Sequence, residues 1–138
     1  MTLWRTDPDS SHRTEPRVYI RAYVPPGGME DAIAFYERLL GTPVDLRTPY
    51  PEKGLSIATV GAFLLIEGDE ETVEPFRATH GTLLVDDVTG YHDRLVAAGA
   101  EITDPPVEVP TGVGFTARHP DGTVVEYVHH RPKPGEGR

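Results

Sequence analysis

The sequence predicts an α+β fold in which two βαβββ repeats combine into one curved mixed sheet around a cleft. Three observations predict it. Stretches with the two-residue alternation of strands flank two stretches with helical spacing. The order strand, helix, glycine, short strand, proline-containing loop and hairpin occurs twice. The helices also match in composition, Phe35-Tyr36-Glu37-Arg38-Leu39 against Tyr91-His92-Asp93-Arg94-Leu95. Neither repeat can bury a sheet face alone, so the two must share a core.

In chain order, residues 1–16 and 132–138 read as disordered tails, because both are polar and rich in proline, glycine or acid. One domain spans 17–131, with repeat one at 17–67, a linker at 68–78 and repeat two at 79–131. Arg17 to Val24 alternates, placing Val18, Ile20, Ala22 and Val24 on one face and Tyr19, Arg21 and Tyr23 on the other. Two tyrosines flanking an arginine suit a wet cavity wall as well as an exposed sheet face. Pro25-Pro26-Gly27-Gly28 breaks the strand. Met29 to Leu40 follows as a helix, with Met29, Ile33, Tyr36 and Leu40 in one stripe and Ala32, Phe35 and Leu39 widening it. Glu30 and Asp31 favour its N-terminus and Gly41 stops it.

Val44 to Arg47 reads as a short strand, and Leu55–Val60 with Ala62–Glu67 as a hairpin. In the second repeat a strand opens at His80 and Val88 to Ala98 is helical. Glu101 to Thr103 starts a strand that Asp104-Pro105-Pro106 interrupts. Gly114 to His119 and Val124 to His130 complete the set. The Asp121-Gly122 turn feeds the last of these strands.

Composition narrows the chemistry. Thirteen basic against 22 acidic residues give a net charge of −9. That disfavours nucleic acid or an anionic membrane as a partner and mildly favours a cationic ligand, though solubility alone accounts for it. With no cysteine, only His, Asp and Glu remain as strong metal ligands. No apolar run is long enough to span a bilayer and no signal pattern opens the chain, so a cytoplasmic location is expected.

The chemistry-bearing residues are Glu126, a carboxylate inside an apolar strand, and His80, at the head of another. A buried lone carboxylate is expensive, so Glu126 calls for a partner or for water. Laid side by side, the repeats set Tyr19 against His80 and Glu67 against Glu126. A His-plus-carboxylate set on a cavity wall suits Mn²⁺, Fe²⁺, Ni²⁺ or Zn²⁺. His130 shares parity with Glu126 and is a candidate acid or base, although its place near a strand end also suits plain exposure. Arg21 could clamp a carboxylate or phosphate, or pair with Glu67. His119 suits holding the neighbouring turn, and His92 the solvated side of its helix.

Phe35-Tyr36-x-x-Leu39-Leu40-Gly41, Thr79-His80-Gly81-Thr82-Leu83-Leu84-Val85-Asp86-Asp87, Ala98-Gly99-Ala100-Glu101 and Pro120-Asp121-Gly122-Thr123-x-x-Glu126 resemble the vicinal oxygen chelate superfamily. This is the group of glyoxalases, bleomycin-resistance proteins and extradiol dioxygenases, and the likeness covers residues 17 to 131. It implies the glyoxalase/bleomycin-resistance fold, a homodimer, and a metal site with one His or Gln, one His and two glutamates. Carried over, His80, Glu126 and Glu67 take three places, while Tyr19 stands in the first. A neutral phenol is a poor ligand for such ions.

Two functions follow. The first is divalent-metal-assisted lyase, isomerase or oxygenase chemistry on a small oxygenated metabolite. His80, Glu126 and Glu67 would hold the ion, and Glu67 or His130 would move the proton. The alternative is a metal-free binder that sequesters an antibiotic or aromatic natural product, with Tyr19, Tyr23, Phe63 and Phe115 as stacking surface and Arg21 beside them. Tyr19 favours the binder. The retained acids and His80 tip the balance toward the enzyme.

Overall fold

The structure is a computed structural model and describes residues 2–136. Its described residues form two compact units, one comprising those up to Thr6 with Tyr19–Ala78, the other Asp7–Val18 with those from Thr79 onward. In the first, β1 (Trp4–Arg5), β2 (Arg17–Val24), α1 (Met29–Leu40), β3 (Leu46–Tyr50), β4 (Leu55–Val60), β5 (Phe63–Glu67) and α2 (Glu70–Val73) follow in chain order. The strand order is β1-β3-β4-β5-β2, antiparallel except where β2 runs parallel to β5. In the second, β6 (Gly81–Leu84), α3 (Val88–Ala97), β7 (Glu101–Val109), β8 (Gly112–Arg118) and β9 (Val124–His130) give the order β6-β9-β8-β7, with β6 parallel to β9. Strand, helix and three strands therefore occur twice, as expected.

Each unit builds a core between its long helix and one sheet face. Under α1, Met29 and Ile33 meet Val24, Ala58, Val60 and Leu65. Under α3, Val88 meets Val85, Phe115, Ala117, Val125 and Tyr127, with Tyr91 and Leu95 packed against them. Apolar burial at roughly 25 cal/mol per Å² makes these clusters the main source of stability. The expected stripe on α1 is only half used, since Phe35, Leu39 and Leu40 stay exposed. Gly41 ends the helix with φ 66°, a conformation other residues rarely take, and its N–H bonds the Glu37 carbonyl.

Three segments depart from the sequence reading. The N-terminal stretch, expected as a disordered tail, contributes β1 and buries Ser10 in the second unit. The Ser10 hydroxyl donates to the Val85 carbonyl at 2.7 Å and accepts from the His130 N–H at 2.9 Å. Two backbone ends are thereby satisfied by one small side chain, a pattern that composition does not reveal. The segment 68–78, expected as a linker, forms α2 and a 3-10 turn over Glu74–Ala78, with the Asp69 carboxylate capping α2 through Thr72 N–H. Strand β7 continues through Asp104-Pro105-Pro106 as far as Val109, with register irregularities absorbing the prolines. Of the expected C-terminal tail, Lys133–Glu136 makes a turn; residues 1, 137 and 138 lie outside the described residues.

Candidate functional site

The second unit carries the polar face. Strand β8 pairs Phe115 with Tyr127 and Thr116 with Glu126, so alternate residues of β9 point to α3 and away from it. Val125 and Tyr127 go into the core. Glu126 lies on the other face with Thr82, its partner on β6. The Thr82 hydroxyl donates to Glu126 Oε1 at 3.1 Å, and a Cβ at Gly114 would stand 3.6 Å from Oε2. The half-buried carboxylate thus has a fixed donor, as its place in an apolar strand demanded.

His80 sits just before β6 and is exposed. Its Nδ1 accepts from the Val124 N–H at 2.9 Å. A neutral imidazole has one acceptor nitrogen, so this bond places the ring proton on Nε2. Metal-bound histidines show the reverse arrangement, donating through the second nitrogen while the first ligates. His80 is held as a donor.

The first unit does not supply the expected partners. Val24 at the end of β2 and Val85 just after β6 take the same place in the two cores, Ala22 opposes Leu65, and Leu83 opposes Tyr127. One residue earlier, Arg21 opposes Leu64 and Thr82 opposes Glu126. The counterpart of Glu126 is therefore Leu64, while Tyr19 remains the counterpart of His80. Glu67, expected as a ligand or proton carrier, is three residues from that place and pairs with Val24. An odd shift puts a side chain on the opposite sheet face. Glu67 Oε2 accepts from the Gly27 N–H at 2.7 Å, three residues beyond Val24. Three residues beyond Val85, the Val88 N–H bonds His129 Nδ1 at 3.0 Å. Glu67 and His129 are thus the equivalent pair, each holding the chain as it turns into a helix.

The remaining candidates fall differently from their expected cleft. Tyr23 Oη and Arg21 Nη1 both donate to the Phe76 carbonyl, at 2.8 and 3.1 Å. The Arg77 guanidinium lies 4.5 Å from the Tyr23 ring centre. With Val73 packed on Leu55 and Ile66, the segment 70–78 covers this face. Tyr19 is buried, 3% exposed.

Phe63 and Phe115 turn the other way. Phe63 stacks on Tyr36 of α1 with ring centres 4.4 Å apart. Phe115 is buried beneath α3 and stacks on Tyr127 at 5.1 Å. Neither shares the face it was expected to line, because side-chain parity cannot say which face the helix takes. His130 is buried at the end of β9 beside Ser10, four residues along the strand from Glu126. His92 meets the edge of Phe115, and His119 Nε2 bonds the Tyr127 hydroxyl, whose pKa burial and then Tyr91 push up. Burial, followed by Arg131, pushes the His129 imidazole below the ordinary histidine range. Among the described residues no three His, Asp or Glu side chains are placed to hold a metal ion.

The divalent ion implied by the resemblance does not fit these residues. Tyr19 and Leu64 offer no ligand, Glu67 faces α1, and His80 presents an N–H.

Residues 20–127 match the model of the Glyoxalase/Bleomycin resistance protein/Dioxygenase superfamily. The chain belongs to this family. An uncharacterized protein from Methanosarcina mazei is similar at 42% identity and a TM-score of 0.77, with 86% of this chain and 94% of that one covered. Methylmalonyl-CoA epimerase from Mycobacterium tuberculosis is similar at 14% identity and a TM-score of 0.60, covering 94% and 93%. A mutant 4-hydroxymandelate synthase from Streptomyces coelicolor is similar at 17% and 0.56, covering 86% of this chain and 50% of that one. These last two establish the fold alone, the glyoxalase/bleomycin-resistance fold expected from the sequence. No curated protein matches. None of the described helices is long and apolar enough to cross a membrane.

Proposed function

We propose that the protein binds a small molecule without a divalent metal, using the β6–β9 face of the second unit. The observation that carries this reading is the register: the first-unit counterparts of His80 and Glu126 are Tyr19 and Leu64. A metal-assisted lyase, isomerase or oxygenase would need ligands where these two stand. The hydrogen bond into His80 Nδ1 supports the same conclusion.

On this reading Glu126, steadied by Thr82, accepts a hydrogen bond or a positive charge from the ligand, and His80 Nε2–H donates one. A cationic or donor-rich ligand suits both the carboxylate and the net charge of −9. Thr116, opposite Glu126 on β8, adds a hydroxyl to the same face. The exposed Phe35 and Leu39, one turn apart on α1, support self-association into a homodimer of the kind common in the family.

The test is a fluorescence titration with cationic aromatic antibiotics in excess chelator, followed by mass analysis of the recovered ligand. Saturable binding with unchanged ligand, weakened about tenfold or more in Glu126→Gln, is expected. Ligand turnover that chelator abolishes would contradict it.

A further inference from the structure

On the α3 side of the second unit, the N-terminal segment and the start of α3 border an open cavity of about 200 Å³. Arg13, Glu15, Asp86, Gly90, Tyr91 and Arg94 line it. Tyr91 packs against the core beneath α3, so the cavity is separate from the Glu126 face and independent of the function proposed for it.

We propose that this cavity binds a small zwitterion of amino-acid size, its carboxylate taken by Arg13 and Arg94 and its ammonium by Glu15. Neither guanidinium is neutralised by an acid. Arg13 Nε donates to the Glu15 carbonyl at 3.1 Å and Arg94 lies 4.4 Å from the Tyr91 ring centre, but among the described residues neither pairs with a carboxylate. Elsewhere arginines find acids: Arg47 with Glu30, Arg77 with Glu70, Arg118 with Glu101. Planar guanidinium forks suit a carboxylate.

The acids of the cavity divide in the same way. Asp86 Oδ1 accepts from the Asp87 N–H, and Asp87 Oδ1 caps α3 through the Thr89 N–H. Only the Glu15 carboxylate has no hydrogen bond or ion pair among the described residues. The lining therefore presents two guanidiniums that no carboxylate neutralises and one carboxylate that accepts no hydrogen bond, a pairing that reads a molecule carrying both charges. At about 200 Å³ the space is below the roughly 300–1,000 Å³ of drug-sized sites and suits a single amino acid.

Gly90 adds a separate observation. It lies inside α3, where glycine is disfavoured, and its backbone has no positive φ to require it. A Cβ there would meet only Arg94 Nη1, at 3.3 Å. No strained backbone requires this glycine, and a Cβ would shift the Arg94 guanidinium by a few tenths of an ångström.

The experiment titrates the full ¹⁵N-labelled chain with L-alanine, L-serine and L-glutamate, and separately with acetate and methylammonium, following amide shifts. At least one amino acid should shift the Glu15, Gly90 and Tyr91 amides saturably, with acetate and methylammonium at least tenfold weaker. Gly90→Ala should keep or raise the melting temperature and weaken the binding that those shifts report; Arg13→Ala with Arg94→Ala should abolish it. No saturable shift with any amino acid, acetate binding as tightly, or unchanged binding in Gly90→Ala would each overturn the proposal.

Discussion

The two units share one chain order and one core plan yet use the sheet face away from the long helix in opposite ways. In the first, α2 and the 3-10 turn after it cover that face, with Tyr23 and Arg21 tied to the Phe76 carbonyl. In the second, the equivalent strands carry Thr82, Thr116 and Glu126. The packing is thus common to both units, whereas the paired hydroxyl and carboxylate belong to the second. The positions before each helix show the same division of labour, since one unit uses a carboxylate and the other an imidazole for the same hydrogen bond.

The largest test of this comparison is Phe115→Ala. If Phe115 is core, truncation should cost about 3–5 kcal/mol in denaturant unfolding. Phe63→Ala should cost less, because Phe63 is only partly buried. Near-native stability in Phe115→Ala would return that ring to a ligand-facing role.

Next in size is the Thr82–Glu126 pair. Glu126→Leu alone leaves a buried hydroxyl without its acceptor and should cost about 1–3 kcal/mol. Adding Thr82→Val makes both partners apolar and should recover most of that loss in a double-mutant cycle. Simple additivity would argue that the two do not interact.

A smaller effect separates His129 from Glu67 by pH. Burial lowers the His129 pKa in the folded state, so below the ordinary value the unfolded chain binds the extra proton more readily. The neutral ring's contribution is therefore full above about pH 6.5 and is lost as pH falls from there through the lowered folded-state pKa. His129→Gln should flatten the fall of stability as pH drops below about 6.5. An unchanged slope would remove His129 as its source. Glu67→Gln, which keeps an acceptor oxygen for Gly27 N–H, should change stability least, by about 0.5 kcal/mol or less.

The repeat, the helices and most strands were legible because periodicity and glycine punctuation report local structure directly. Register was not. Hairpin one closes between Val60 and Phe63, whereas hairpin two closes between Arg118 and Val124. Aligning the last strands by their acidic residue therefore gives no guarantee of alignment against the first strands. Matching Glu67 to Glu126 on that acid is off by three residues, which changes the sheet face. His129, the counterpart of Glu67, is not an acid, so such an alignment passes it by. Parity did group Tyr19, Arg21 and Tyr23 correctly, but nothing local told that the segment after Glu67 would fold back over Tyr23. Arg13 and Gly90 escaped for a similar reason, since a polar N-terminal stretch gives no hint that it will lie against a helix.

The central claim is that the second unit holds a polar face without a metal partner set. Incubate the protein with Mn²⁺, Fe²⁺, Ni²⁺ and Zn²⁺ in turn, remove free ion by gel filtration, and measure metal per chain in wild type, His80→Ala and Glu126→Gln. The register predicts substoichiometric metal in all three, with no difference among them. One ion per chain in the wild type, lost in both variants, would contradict the account.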